Sequence, residues 1–330
     1  MSAGLIFIHG RGQQMPRALR GDKARVEAKI AGDRRGWLAG LAKGLTLAGR
    51  PPVAESSVYY PFYGNVLADL IEDHEARGLP RPDLELEQAA PARTRDQLIL
   101  DAARDLGFDP ATELEYTEPE LAGRVRRSAR SPEEEIDLSG VLRVPIVASA
   151  LQFLARKTGT AEWVIEGFLT DVAYYLEIAT IRDRVLDVVQ ETMVTAIAEH
   201  DTVVVVGHSL GSIVAYDVLQ DAGTPRPVSL LVTAGSPIGF PIVQRNLLGR
   251  QGGDRPRVPV IDAPANPRWI NAYDVRDVVA LIHPIHDQFD GGPAAIRDVV
   301  THNPNGPHSI GDYLSDQDVA APIAAAIAAR

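Results

Sequence analysis

The chain has 330 residues, an apolar share of 45%, a net charge of -11, a sequence pI near 5.2 and no cysteine. The acidic balance excludes a broad nucleic-acid surface, and the missing thiols exclude a disulfide framework, a thiol nucleophile and a thiolate metal site. Length and composition suit a globular α/β protein able to bury a large core in one unit.

The first residues, MSAGLIFIHG, carry no basic segment ahead of an apolar stretch, so no secretory signal is expected. Residues 5–8 form a short apolar run ending in His9-Gly10-Arg11-Gly12, as a buried strand entering a tight loop would. Apolar residues at helical spacing follow over 37–47, and 53–60 reads as a second strand. The aromatic cluster Tyr59, Tyr60, Phe62 and Tyr63 at its end suits either an acyl pocket or the core.

From 63 to about 160 the composition turns to mixed charge and proline, which predicts a solvated helical insertion with loops. Residues 141–154 within it are apolar enough to cover a pocket. A long helical pattern then spans 161–199, with Leu186, Val189, Met193 and Ile197 on one face. Glu166, Asp171 and Glu177 interrupt the longest apolar segments, so no membrane span is expected, and the chain reads as cytoplasmic. Further strands are predicted at 202–206, 228–233, 269–273 and 296–301, with a helix over 209–219 and a long Gly/Pro-rich loop over 244–267. Strands and helices in alternation, with continuously apolar strands, imply a parallel sheet covered on both faces.

The stretch VVVVGHSLGSIVAYDVL places Gly207-His208-Ser209-Leu210-Gly211 between a β-branched strand and a helix. A serine on such a sharp turn holds its hydroxyl above the sheet edge, in a strained backbone conformation. Residues two positions away must be small to avoid collision across the turn, and Gly207 and Gly211 are. The helix starting beside Ser209 aims its unpaired N–H groups at any oxygen bound there, which is what a nucleophile and a developing oxyanion need.

GHSLG in this position resembles the nucleophile elbow of the α/β-hydrolase superfamily, in particular its esterase- and lipase-like members. The resemblance covers residues 5 to about 60 and again 202 to about 314. It implies a mostly parallel sheet of about six strands with helices on both faces and a long helical cap. The core is then expected at 1–62 and 196–330, with the cap at 63–195, including the long helix that leads into the nucleophile strand. The family's chain order of serine, acid, histidine implies Ser209 as nucleophile, followed by an acid and a base downstream. His308, in a loop after the last predicted strand, stands where the family places its base, and His302 at the strand end is the alternative. Asp277, before Val278-Val279, matches the acid position, with Asp274 as the main alternative and Asp287 and Asp290 behind it. The resemblance also assigns the oxyanion hole to the backbone N–H of Leu210 and, from the HG motif after the first strand, to that of Arg11.

His9 itself reads as a structural residue of that loop, and Ala234-Gly235-Ser236-Pro237 as a plain turn. His283, His286 and Asp287 are metal-ligand types, but their spacing matches no helical zinc pattern, so no metal and no cofactor are expected. The function implied is hydrolysis of an acyl or lipid-like carboxylic ester through an acyl-enzyme. Acyl transfer, thioester or amide cleavage by the same groups, and a non-catalytic binding module on this fold, are the alternatives. The expected partner is a small-molecule ester, with no nucleic acid and at most peripheral lipid contact through the cap.

Overall fold

The computed structural model describes residues 2–76, 85–117, 122, 143–220, 227–259, 261 and 267–328. The acidic stretch 128–140 and part of the loop 244–267 lie outside the described residues. The centre is a six-stranded sheet, every neighbouring pair parallel, in the order β2-β1-β3-β4-β5-β6. The strands are β1 (Ala3–Ile8), β2 (Val58–Tyr59), β3 (Thr202–His208), β4 (Val228–Ala234), β5 (Trp269–Tyr273) and β6 (Ile296–Val300).

Alternation along the strands sends side chains to two separate cores. Leu5 and Phe7 of β1, Val204 and Val206 of β3 and Leu230 and Val232 of β4 join one of them. Helix α1 (Lys23–Leu47) covers that face together with α11 (Ile310–Ser315) and α12 (Gln317–Ala328), through Trp37, Leu41, Leu45, Tyr313 and Leu314. Ile6, Ile8, Val203, Val205 and Leu231 face the other way. There they meet α2 (Gly64–Ala76), α7 (Ala179–Glu199) and α8 (Leu210–Gln220). Each fully buried valine of β3 contributes about 1.5–3 kcal/mol through the water it sheds, which is why four in a row specify a central strand.

Four expectations need correction. The second strand is only Val58–Tyr59, because Glu55–Ser57 closes into a 3₁₀ turn instead of extending. The pattern over 161–199 is two helices, α6 (Glu162–Glu177) and α7, separated at Ile178, whose φ of -103° and ψ of 100° are extended. The anticipated loop over 244–267 begins inside α9 (Pro241–Gln251), which ends at Gly252 with φ 70°.

The insertion is also far from uniformly solvated. Helices α3 (Glu85–Asp105), α5 (Arg143–Thr158) and α6 pack on one another, burying Leu98, Leu100, Ile146, Leu154, Ile165 and Leu169. That cluster is continuous with the core on the α7 side of the sheet. The expected boundary at 195/196 falls within α7, a helix that packs on β1 and β3.

Candidate active site

Ser209 sits between β3 and α8 with φ 54°, the only described non-glycine residue in the left-handed region. Its N–H donates to the carbonyl of Ala234 on β4 at 3.1 Å, tying the turn to the neighbouring strand. A Cβ on Gly207 would lie 2.5 Å from the carbonyl oxygen of Gly211, so only glycine fits there. Gly211 is equally confined by the backbone of Ile8 and His9. The turn is thus wedged against β1, and the strain at Ser209 is held by its surroundings.

His308 lies in the loop between β6 and α11. Its Nδ1 is 2.8 Å from Asp277 Oδ2, and Asp277 is fully buried. A carboxylate can only accept, so Nδ1 carries the proton and Nε2 keeps a lone pair. That Nε2 and Ser209 Oγ are both buried and have no hydrogen-bond partner among the described residues. The ring of His208, next to Ser209 in the chain, lies tilted against that of His308 with centroids 4.4 Å apart, and its Nε2–H donates to the His308 carbonyl at 3.2 Å. Phe168 of α6 also packs edge-on with His308, 4.6 Å between centroids.

Asp277 is held from three directions. Its Oδ1 accepts the Val279 N–H at 2.9 Å, and its Oδ2 accepts from both His308 and the Tyr313 hydroxyl, the latter at 2.7 Å. Burial next to that carboxylate pushes the Tyr313 hydroxyl far above its ordinary pKa, so it stays a donor. Gly235, φ 55°, passes alongside, and a Cβ on it would lie 2.8 Å from Asp277 Oδ2 and 3.0 Å from His308 Nδ1. The segment read as a plain turn is therefore the wall behind this pair.

The other carboxylates are employed elsewhere. Asp274 accepts from the Arg276 side chain at 2.7 and 3.1 Å and from the Asn303 N–H at 2.8 Å. Burial alone would raise its pKa, but these hydrogen bonds outweigh burial and hold it below the usual range. Its contribution to stability is thus present above the ordinary carboxylate pKa and lost as pH falls through the depressed one. Asp287 is exposed beside His286, and Asp290 accepts the Val258 N–H at 2.6 Å. His302 is exposed just beyond β6. His286 pairs with Asp298 at 2.7 Å and His283 stacks on Tyr273, so these histidines do not converge. Among the described residues no three His, Asp or Glu side chains form a metal-binding group.

The loop after β1 crosses over the nucleophile position. A Cβ on Gly10 would lie 2.5 Å from Ser209 Cβ and 3.1 Å from its Oγ, so this backbone can approach only as glycine. His9 accepts the Tyr63 N–H at Nε2, 3.2 Å, and its Nδ1 donates to the Gly10 carbonyl at 2.7 Å. It stacks on Tyr63 at 4.1 Å, which gives the aromatic cluster a core role. Leu210 begins α8 immediately after Ser209.

Tyr313 and His208 went unread in the sequence, and Gly235 was read only as part of a plain turn. Gly235 follows a strand and precedes Ser236-Pro237, the only local hint. Tyr313 carries no signal at all, because its hydroxyl meets Asp277 and the Asp274 N–H from 36 and 39 residues away.

Tyr313→Phe is expected to lower the turnover of any reaction using the Asp277–His308 pair by about 10- to 150-fold, since a hydrogen bond to a charged group is worth about 1.5–3 kcal/mol. It also strands the Asp274 N–H, which donates to the Tyr313 oxygen at 3.0 Å, so stability should fall by about 1–3 kcal/mol. Denaturant unfolding measured beside activity separates the two losses.

A second expectation concerns pH. Burial drives the His9 pKa down to about 4 and that of His208 well below normal. Both depressions mean the unfolded chain takes up protons that the folded chain refuses, so stability is lost as pH falls from the ordinary imidazole value towards about 4. His9 alone should make the protein about 2 kcal/mol less stable at pH 5 than at pH 7, measured by denaturant unfolding at both.

No helix among the described residues is long and apolar enough to cross a membrane. No curated protein and no solved structure matches the chain at a significant level. A model described as the alpha/beta hydrolase family matches residues 161–330, more than half of the chain, and that span holds Ser209, Asp277 and His308. Together with the parallel sheet and the strained serine turn, this match places the chain in the alpha/beta hydrolase family.

Proposed function

We propose that the protein is a serine hydrolase that cleaves a carboxylic ester of an acyl or lipid-like small molecule through an acyl-enzyme. The observation that carries this reading is the buried Asp277–His308 pair with its unpartnered Nε2, set 4.4 Å from the ring of His208, the chain neighbour of the unpartnered Ser209 hydroxyl on its strained turn.

Ser209 Oγ attacks the ester carbonyl carbon while His308 Nε2 takes its proton, and Asp277 keeps the imidazole in the tautomer that can do so. Negative charge collects on the carbonyl oxygen, where the Leu210 N–H at the start of α8 and the Arg11 N–H act as donors. When the intermediate collapses, His308 gives its proton to the departing alcohol. A water then repeats the sequence on the acyl-enzyme, releasing the acid and restoring Ser209.

Active-site labelling with a fluorophosphonate, followed by a panel of esters of increasing acyl length, tests the proposal. Covalent labelling with ester turnover supports it. Neither labelling nor turnover on any ester, thioester or amide would favour a binding module on the hydrolase fold.

A further inference from the structure

Helix α6 touches both sides of the site just described. Phe168 packs on the His308 ring, while Arg11 Nε lies 3.0 Å from Asp171 Oδ2, one turn further along. The Arg11 guanidinium rests on Gly167, where a Cβ would fall inside it, so the helix surface is hollowed at this point. The helix is anchored in turn: the Tyr175 hydroxyl donates to Asp217 of α8 at 2.9 Å, and Arg250 of α9 donates to the same carboxylate oxygen at 2.8 Å. Asp171 is therefore fixed relative to the helix that begins at the nucleophile turn.

We propose that Asp171 is a positioning residue: by gripping Arg11 it fixes the Gly10–Arg11 backbone over Ser209. The proposal rests on the ester-hydrolase reading and adds a residue to it. Gly10 is in van der Waals contact with Ser209, so a small displacement of this loop moves the backbone donor supplied by Arg11 relative to the carbonyl oxygen it must meet. A cavity of about 200 Å³ adjoins the pair, lined by Gly10, Arg11, Leu67, Glu72, Glu75 and Asp171 among others. With that space beside it, the loop has room to move unless Arg11 is held. A largely buried ion pair is weak support for stability, because desolvation opposes the attraction, and its use here is to set geometry.

The electrostatics add a readout. Burial raises the Asp171 pKa to about 6, with Arg11 pulling it down and Glu75 of α2 pushing it up. Tyr63, before α2, senses the same charge, and Glu72 and Arg20 across the cavity are paired with each other at 2.6 Å. As pH falls through about 6, Asp171 takes a proton and its hold on Arg11 weakens.

The test compares fluorophosphonate labelling rate, kcat, KM and thermal midpoint for Asp171→Asn, Asp171→Glu, Arg11→Ala and the Asp171→Asn/Arg11→Ala double variant. Asp171→Asn is expected to lower kcat and labelling about 10- to 100-fold with KM nearly unchanged. The double variant should be no worse than Arg11→Ala alone, and Asp171→Glu should recover part of the loss. On the acid side, wild-type kcat/KM should show a step near pH 6 from Asp171 that Asp171→Asn lacks. Unchanged kcat in a folded Asp171→Asn protein, or losses that simply add in the double variant, would overturn the proposal. A wild-type protein that neither labels nor turns over ester removes the underlying reading instead, and this inference with it.

Discussion

Ser209→Ala should abolish fluorophosphonate labelling and lower ester hydrolysis by roughly four to six orders of magnitude, leaving the fold intact. The magnitude follows from the chemistry: among the described residues Ser209 is the only non-glycine on a left-handed turn, and its hydroxyl is the proposed nucleophile. The expectation of an intact fold comes from the site itself. Ser209 Oγ makes no hydrogen bond among the described residues, so removing it orphans no partner. Alanine also keeps the Cβ that packs against Gly10, and it tolerates φ 54° about as poorly as serine does. Circular dichroism and the unfolding midpoint should therefore match those of the wild type. Near-wild-type hydrolysis by pure Ser209→Ala protein would remove the mechanism altogether.

The second large effect separates two histidines six residues apart. His308→Ala should lower kcat by several orders of magnitude, because Ser209 would have no base and only binding and oxyanion stabilisation would remain. His302→Ala should leave kcat within about twofold, since an exposed side chain beyond a strand end usually contributes little. The contrast has a geometric source. Asn303 donates from its side-chain amide to the Pro307 carbonyl at 2.6 Å and from its N–H to Asp274, which folds the 303–307 loop back over the end of β5. That fold carries His308 to Asp277 and leaves His302 outside. Kinetics in which the two variants exchanged severity would reverse the assignment of the base.

The strands of the sheet could be read from composition alone where burial is complete. Residues 203–206 are valines buried on both faces, and 269–273 are buried with Asn271 as their one plainly polar position, as a strand between two helical layers requires. The weak edge strand β2 was over-read, because proline and serine at 51–57 carry no periodic signal either way. The insertion was misread for a different reason. Its charge is real, but on α3 buried Asp96 is satisfied by Arg95 and Arg143, at 2.7 Å in the first pair, and such pairing is invisible in a linear sequence.

What the sequence by itself determined is the local chemistry of the turn: a β-branched strand, two obligatory glycines, a serine and a helix start, each dictated by backbone sterics within about ten residues. The acid stayed open among Asp274, Asp277, Asp287 and Asp290, because every one of them suits a turn. The tertiary structure gives them different partners, and it is Asp277 whose carboxylate lies 2.8 Å from His308. Arg276 and Asn303 occupy Asp274, whereas Gly235 leaves room for Asp277 to meet His308 from across the sheet edge. The same holds for Tyr313, Phe168 and Asp171, which lie 36 to 160 residues away in the chain from their contacts, so their placement depends on packing that no local pattern encodes.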